Sequence, residues 1–340
     1  MLSIGVTYAD VTLFGTIDQA YTKKEWTING ASRYSTTGFS GVQNGGSGIG
    51  FKGEEDLGNG LKASFLHELG VSTEGASATS VRQGFVALGG TFGQVRIGKQ
   101  YSQAFINTVS VDPLGATGVY GHNAYILLTG DAVGGDAPLR QANALQYSLP
   151  AFVEGLGITV TKTYGGNNTA DGIATDGMGV ALMYSTGALH AGYTWDSTAN
   201  TGVNATLPTY DPTKAPDQFI ELISASTSQK RELKTLSVSY DFGMAKVGFN
   251  NVQTGVGSNT LDNNALTLAV PVGAATIGLS TSSGNLKGAS TLKHSGYQFG
   301  LDYNLSKRTV AYAQMGKATI DDGADKQTFS SSAFGIRHSF

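Results

Sequence analysis

From residue 297 to 305 the chain reads Tyr-Gln-Phe-Gly-Leu-Asp-Tyr-Asn-Leu, with a large apolar or aromatic side chain at every odd position and a small or polar one at every even position. Such a period-two repeat makes a strand with one dry face and one wet face. The alternation recurs at Leu145, Tyr147, Leu149; at Ala191, Tyr193, Trp195; at Val238, Tyr240, Phe242; at Ala245, Val247, Phe249; at Leu266, Leu268, Val270; and at Ala275, Ile277, Leu279. Between these stand Gln146, Ser148, His190, Thr194, Ser237, Ser239, Lys246 and Asn250, side chains suited to line water. The chain ends in the same pattern, with Phe334, Ile336, His338 and Phe340 on one face of a final strand. The fold class is therefore all-β.

A soluble β-sandwich alternates too, so connection lengths have to decide between architectures. Short turns at Asp56–Gly60, Gly89–Gly93, Phe242–Met244, Pro271–Ala274 and Asn304–Arg308 interleave with long polar stretches at 24–46, 102–139, 197–229 and 283–294. Tight turns at one end and long loops at the other belong to a transmembrane β-barrel with short periplasmic turns and long extracellular loops. Aromatic residues bunch beside the turns, at Phe92, Tyr240, Phe242, Tyr303 and Phe340, as an interfacial girdle does. Mean hydropathy near zero fits this reading, because lipid-facing and lumen-facing residues cancel in the average. No stretch reaches the roughly 18 uninterrupted apolar residues of a spanning helix. A charged fraction of 14% and 48 glycines suit a wall of strands and turns.

Strands are expected near 11–23, 47–55, 61–69, 80–89, 94–101, 140–149, 156–164, 178–186, 189–196, 231–241, 245–253, 265–270, 276–282, 295–303, 309–317 and 329–340. That makes a 16-stranded antiparallel barrel, a single domain over 1–340, with both termini at the short-turn end. Closure is forced, since an open sheet edge cannot face hydrocarbon.

Other chemistry finds little support. With no Cys there is neither a disulfide framework nor a thiolate metal site, and a net charge of -3 with scattered Lys and Arg gives no nucleic-acid footprint. The five His, at 67, 122, 190, 294 and 338, lie in no catalytic motif, so no enzyme is expected. His338 reads as a girdle residue. Gly45-Gly-Ser-Gly-Ile-Gly50 lacks the strand-then-helix context of a nucleotide loop. Asp321-Asp-Gly-Ala-Asp325 lacks the spacing and terminal Glu of a helix-loop-helix calcium site and reads as a solvated loop tip. No cofactor or metal is expected. Met1–Ala9 lacks a basic n-region and is too short for a full export signal, so that signal is expected to have been removed or to lie upstream.

A strand that closes the chain on a free Phe resembles the terminal strand of outer-membrane β-barrels, where that ending serves as an assembly signal. Several turn sequences carry a closer likeness. Val11-Thr-Leu-Phe-Gly15, Gly50-Phe-Lys-Gly-Glu-Glu-Asp-Leu-Gly-Asn-Gly-Leu-Lys-Ala63, Arg82-Gln-Gly-Phe-Val-Ala-Leu88, Thr91-Phe-Gly-Gln-Val-Arg-Ile-Gly98, Asn304-Leu-Ser-Lys-Arg-Thr309 and Gly335-Ile-Arg-His-Ser-Phe340 resemble the β-proteobacterial, neisserial-like branch of the Gram-negative general porins, in order from end to end.

The resemblance implies a homotrimer of sixteen-stranded barrels in the bacterial outer membrane, in contact with lipid and lipopolysaccharide, that passes small hydrophilic solutes and ions by diffusion. It implies that the third loop, 102–139, folds into the lumen carrying Asp112, Asp131 and Asp136, and that basic residues face it from the wall. Arg140 matches the family's arginine at the start of the sixth strand and Arg82 the one in the fourth; Lys52 and Arg96 would add to the attraction for anions. The family usually places a third arginine just before the Gly-Phe-Lys-Gly run, where this chain has Gly48. Weak anion selectivity is the expectation that follows. Two alternatives stay open at this point: a substrate-specific channel for a carboxylate or aromatic acid, and a plugged barrel that is an enzyme or adhesin.

Overall fold

The computed structural model describes residues 10–42, 46–73, 80–115, 119, 139–165, 176–199, 230–256, 259–287 and 292–340. Its first strands are β1 (Asp10–Ile28), β2 (Ala31–Ser40), β3 (Gly48–Gly58), β4 (Leu61–Gly70), β5 (Ser80–Gly90) and β6 (Gly93–Tyr101), followed by helix α1 (Gln103–Val109). Then come β7 (Arg140–Ser148), β8 (Leu156–Thr163), β9 (Gly177–Thr186), β10 (Leu189–Ala199), β11 (Lys230–Asp241) and β12 (Lys246–Val256). The last are β13 (Asn259–Val272), β14 (Ala275–Lys287), β15 (Leu292–Asn304), β16 (Thr309–Asp321) and β17 (Lys326–Ser339).

From β3 onward, each strand pairs antiparallel with the next, and β17 returns to β1, where Thr16–Ile28 run against Ser339–Gln327. The seam is closed at its lower end by Gly15 and the terminal residue, which exchange two backbone hydrogen bonds, Gly15 N–H to Phe340 O at 3.1 Å and Phe340 N–H to Gly15 O at 3.0 Å. No edge is left.

Among the described residues, seventeen strands make sixteen staves. Both β2 and β3 lie on the same side of β1 and run in the same direction: Ala31–Ser40 pair with Ile28–Ala20, and Gly48–Glu54 with Thr16–Asp10. They are two halves of one stave. The stretch 24–46, expected as a long loop, is thus mostly sheet. Asn29 (φ 50°) and Gly30 (φ 82°) supply the two positive φ angles of a tight hairpin turn, and Asn-Gly between strands is the strongest short hairpin signal. The stretch 283–294 is corrected in the same way, since β14 runs to Lys287 and β15 starts at Leu292. Strands of 13 or 14 residues such as these exceed the roughly 9–11 needed to cross hydrocarbon. Their upper ends stand beyond the apolar slab, where both faces can be polar and the alternation fades.

The five short turns expected from sequence, at 56–60, 89–93, 242–244, 271–274 and 304–308, all lie at the Phe340 end. At the opposite end, the turn at 322–325 is tied to the first hairpin: Asn29 Nδ2 donates to Asp325 Oδ1 (2.7 Å) and Lys326 N–H donates to Asn29 Oδ1 (2.9 Å). Asp322 accepts the backbone N–H groups of Ala324 (2.9 Å) and Asp325 (2.7 Å), which hold its carboxyl below the usual range. These acids shape a turn.

Burial is inside out. Val86, Ile97, Leu266, Met315 and Phe334 are each more than half exposed, whereas Thr194, Asn250, Asn263, Gln298 and Gln314 are buried on the opposite face. A water-soluble fold would bear the opposite pattern. The exposed band is the surface that lipid covers, and the buried polar set lines the lumen. The girdle residues Phe92, Tyr240, Phe242, Tyr303 and Phe340 are exposed beside their turns.

A side chain on Gly15 has no room, because its Cβ would stand 2.5 Å from Cζ of the Phe340 ring. Gly15→Leu should therefore lower the heat-denaturation midpoint of the folded barrel in detergent, with a loss of about 1–3 kcal/mol from overpacking. An unchanged midpoint would show that the ring does not clamp the seam.

Candidate functional site

After β6 the chain turns into the barrel. Ser102 caps α1 by accepting the Phe105 N–H at 3.1 Å, and Ala104, Asn107 and Thr108, spaced i, i+3, i+4, form the buried stripe of this short helix. Asn107 is fully buried. Its amide donates to the Gly192 carbonyl (3.2 Å) on β10 and to the Thr235 hydroxyl (2.7 Å) on β11.

From the helix the segment runs as a belt along the inner wall. Ser110 meets His190 Nε2 at 2.8 Å and Lys246 Nζ donates to the Ser110 carbonyl at 3.0 Å. Because the Ser110 hydroxyl already donates to Asn107 O (2.6 Å), it accepts from His190, which fixes a proton on Nε2. Thr267 on β13 donates to Val111 O at 2.7 Å. Further round, Gln298 on β15 donates to Val119 O.

Glycines make the bed for this belt. Added Cβ atoms would strike Asn107 at Gly192, Val111 at Gly248, and Leu114 at Gly278 and Gly300. All four occupy inward positions of their strands, where a bare backbone lets the belt lie flush. Such strand glycines mark close approach rather than a turn.

Val42 and Ser47, which flank the β2–β3 break, make a second set of inward contacts. Buried Asp18 on β1 accepts Val42 N–H (2.5 Å) and the Tyr312 hydroxyl (2.7 Å), while Ser47 Oγ accepts the Asp18 N–H at 2.9 Å. Val42 and Val119 share a buried cluster with Ala20, Tyr312 and Ala333. The belt is thus anchored at both ends, to β10–β11 by Asn107 and to the cluster that holds Val42 by Val119.

Facing the belt is a wall of cations. Alternation from lipid-facing Phe51, Val86 and Ile97 puts Lys52 on β3 and Arg96 on β6 toward the lumen. Lys52 Nζ lies 5.5 Å from the centroid of the Phe14 ring. Arg96 lies 5.3 Å from the Phe85 ring and donates to Gln94 Oε1 at 2.8 Å. Arg82 on β5 is buried and paired with Glu68 of β4, Nε to Oε1 3.3 Å. Arg140 sits against Tyr101, its guanidinium 5.0 Å from the ring. A one-residue bulge at Asn143 (φ 48°) turns the neighbouring Gln141 inward, where it donates to Asp196 at 3.1 Å. Asp112 lies on the belt and accepts Leu114 N–H at 2.9 Å. It sits between Val111, docked on β13, and Leu114, docked on β14 and β15, about half the circumference from β5. Asp131 and Asp136 lie outside the described residues.

Of the cations expected from sequence, Lys52 thus lies on β3, Arg82 on β5, Arg96 on β6 and Arg140 on β7. Sequence reasoning missed Glu68, Asp18 and the dockers Asn107, Thr235 and Thr267. The lumenal glycines were the available signal. Among the described residues, no three His, Asp or Glu side chains converge as a metal site.

A closed barrel with a polar bore and an inner belt is the architecture against which the comparisons stand. The Gram-negative porin family profile matches residues 2–323. The chain belongs to the Gram-negative porin family. It is 28% identical to the major outer membrane protein P.IB of Neisseria meningitidis serogroup B, over 98% of this chain and 95% of that protein. It is 29% identical to outer membrane porin protein 32 of Delftia acidovorans, over 90% and 83%. In structure it resembles an anion-selective porin from Comamonas acidovorans, with a TM-score of 0.77 and 24% identity, covering 98% of this chain and all of the other. It also resembles the trimer form of OmpT of Vibrio cholerae, with a TM-score of 0.67 at 12% identity over 98% of this chain. This porin is an integral protein of the outer membrane and a passive channel, of a family whose members are not enzymes.

Removing the Asn107 amide strands buried polar groups of the wall, at a cost of about 1–3 kcal/mol. Asn107→Ala should speed amide exchange across Phe105–Ser110 and broaden the distribution of single-channel currents. Wild-type exchange in that segment would mean that the helix is held by something else.

Proposed function

We propose that this porin is a homotrimer whose pores pass small hydrophilic solutes and ions with weak preference for anions, each pore narrowed by the belt that begins at Ser102. The observation that carries the selectivity is the distribution of charge across the bore. Lys52 is exposed to the lumen, Arg96 shares its face, and Asp112 rides on the belt opposite. A narrow water-filled pore lined in this way discriminates by charge and width without any chemical step. Two relatives add support through what their names say: one solved neighbour is an anion-selective porin and another is a trimer. Weakness is expected because Gly48 takes the place of a family arginine and because Arg82 is ion-paired.

Lys52, Arg96, Arg82 and Arg140 make up the cationic side in this proposal, and Asp112, Asp131 and Asp136 the acidic side. Their weights differ. Lys52 is exposed, whereas Arg140 is half-buried and contributes less.

In planar bilayers the purified protein should insert as groups of three equal conductance steps, and a salt gradient should give a small anion-selective reversal potential. Lys52→Glu should move that potential toward cations by several millivolts or more, and Arg140→Ala should move it less in the same direction. Single, uncoupled steps would argue against the trimer. A cation-selective wild type would overturn the assignment of the wall.

A further inference from the structure

We propose that Glu68 sets the selectivity of this pore by holding Arg82 as a neutral pair against the wall, so that an arginine expected from sequence to attract anions contributes little field. The proposal rests on the channel reading above and identifies the residue that tempers it.

Four observations converge on that corner of the bore. Arg82 is the extra residue of a bulge, opposite the step from Glu68 to Leu69, which frees its side chain from the strict alternation of β5. Its Nε stands 3.3 Å from Glu68 Oε1, with the two side chains only 9% and 14% exposed. Glu68 is itself fixed, since Oε2 accepts Gln83 Nε2 at 2.9 Å. Finally, Gly48 provides the space: a Cβ there would lie 3.1 Å from Arg82 Nη1 and 3.4 Å from Glu68 Oε1. The far side of the guanidinium reaches the Gly46 carbonyl at 3.5 Å.

Gly48 and Glu68 thus act together. A larger residue at 48 would push the guanidinium out of its recess toward the lumen, and glycine lets it lie back on the carboxylate. An ion approaching the constriction meets a dipole, whose field dies faster with distance than that of a lone charge. Lys52 and Arg96, which rest on aromatic rings, are left to supply most of the positive potential.

The test uses the full-length porin in planar bilayers under a potassium chloride gradient. Glu68→Gln keeps the shape and the contact to Gln83 but removes the charge, and should raise the chloride-to-potassium permeability ratio by about twofold or more, since it uncovers a full charge beside the path. Arg82→Gln exposes Glu68 instead and should lower the ratio by a similar factor. The double variant should return close to wild type. A conducting Glu68→Gln protein with the wild-type ratio overturns the proposal while leaving the channel reading intact, and a silent wild type overturns both. Should Glu68→Gln fail to insert, the Arg82→Gln arm decides alone: an unchanged ratio sinks the pairing, and a fall supports it.

Discussion

Hydrocarbon offers no hydrogen-bond partner to a backbone amide or carbonyl, so a sheet inside a membrane must pair every strand on both sides. That requirement organises this molecule. Fifteen antiparallel neighbours are not enough; the sixteenth pairing, between β17 and β1, has to bring residues 339 and 16 together across the whole length of the chain. The terminal residue completes it by exchanging two backbone hydrogen bonds with Gly15, and its ring covers the bare face of that glycine. The aromatic end of the sequence is therefore a structural part of the wall.

Once closed, the barrel has an inside, and what fills it determines what passes. The polar side chains that alternation directs inward offer donors and acceptors to a passing segment, and α1 with the chain that follows uses them in turn, from Asn107 to Val119. Each docking contact pairs a buried polar group that would otherwise be costly to leave alone. The outcome is asymmetry: the belt covers strands β9 to β15, while on the other side Lys52 and Arg96 face the bore and Arg82 lies back on Glu68. In the proposed function, cations on the wall and acids on the belt set a field across the width of the pore.

Fold legibility varied with depth in the membrane. Tyr297–Leu305 sit where one face meets lipid and the other the bore, and there the sequence shows the strand without ambiguity. Residues 31–40 and 283–287 sit where both faces meet water, and their polarity hid them; only Asn29-Gly30 pointed to the first. The site was legible for charge and obscure for geometry. Cations in spans are conspicuous because they are costly facing lipid, so Lys52, Arg82 and Arg96 stood out. That Arg82 would lie back on Glu68 depends on a bulge and on the emptiness at Gly48, neither of which a one-dimensional pattern displays. The short helix α1 was hidden for a related reason: seven residues carry too few turns for a helical period to emerge, and its stability comes from the wall it docks on.

The central claim is that adjacent residues of one strand face opposite media, lipid on one side and water on the other. The chain has no native cysteine, so single substitutions report cleanly. Phe51→Cys and Lys52→Cys, reconstituted in vesicles, should separate completely: the thiol at 52 reacts with a charged, membrane-impermeant reagent, and a fluorophore at 51 is quenched by brominated lipid. Equal reaction of both thiols with the aqueous reagent, with no lipid quenching at 51, would contradict the barrel and everything built on it.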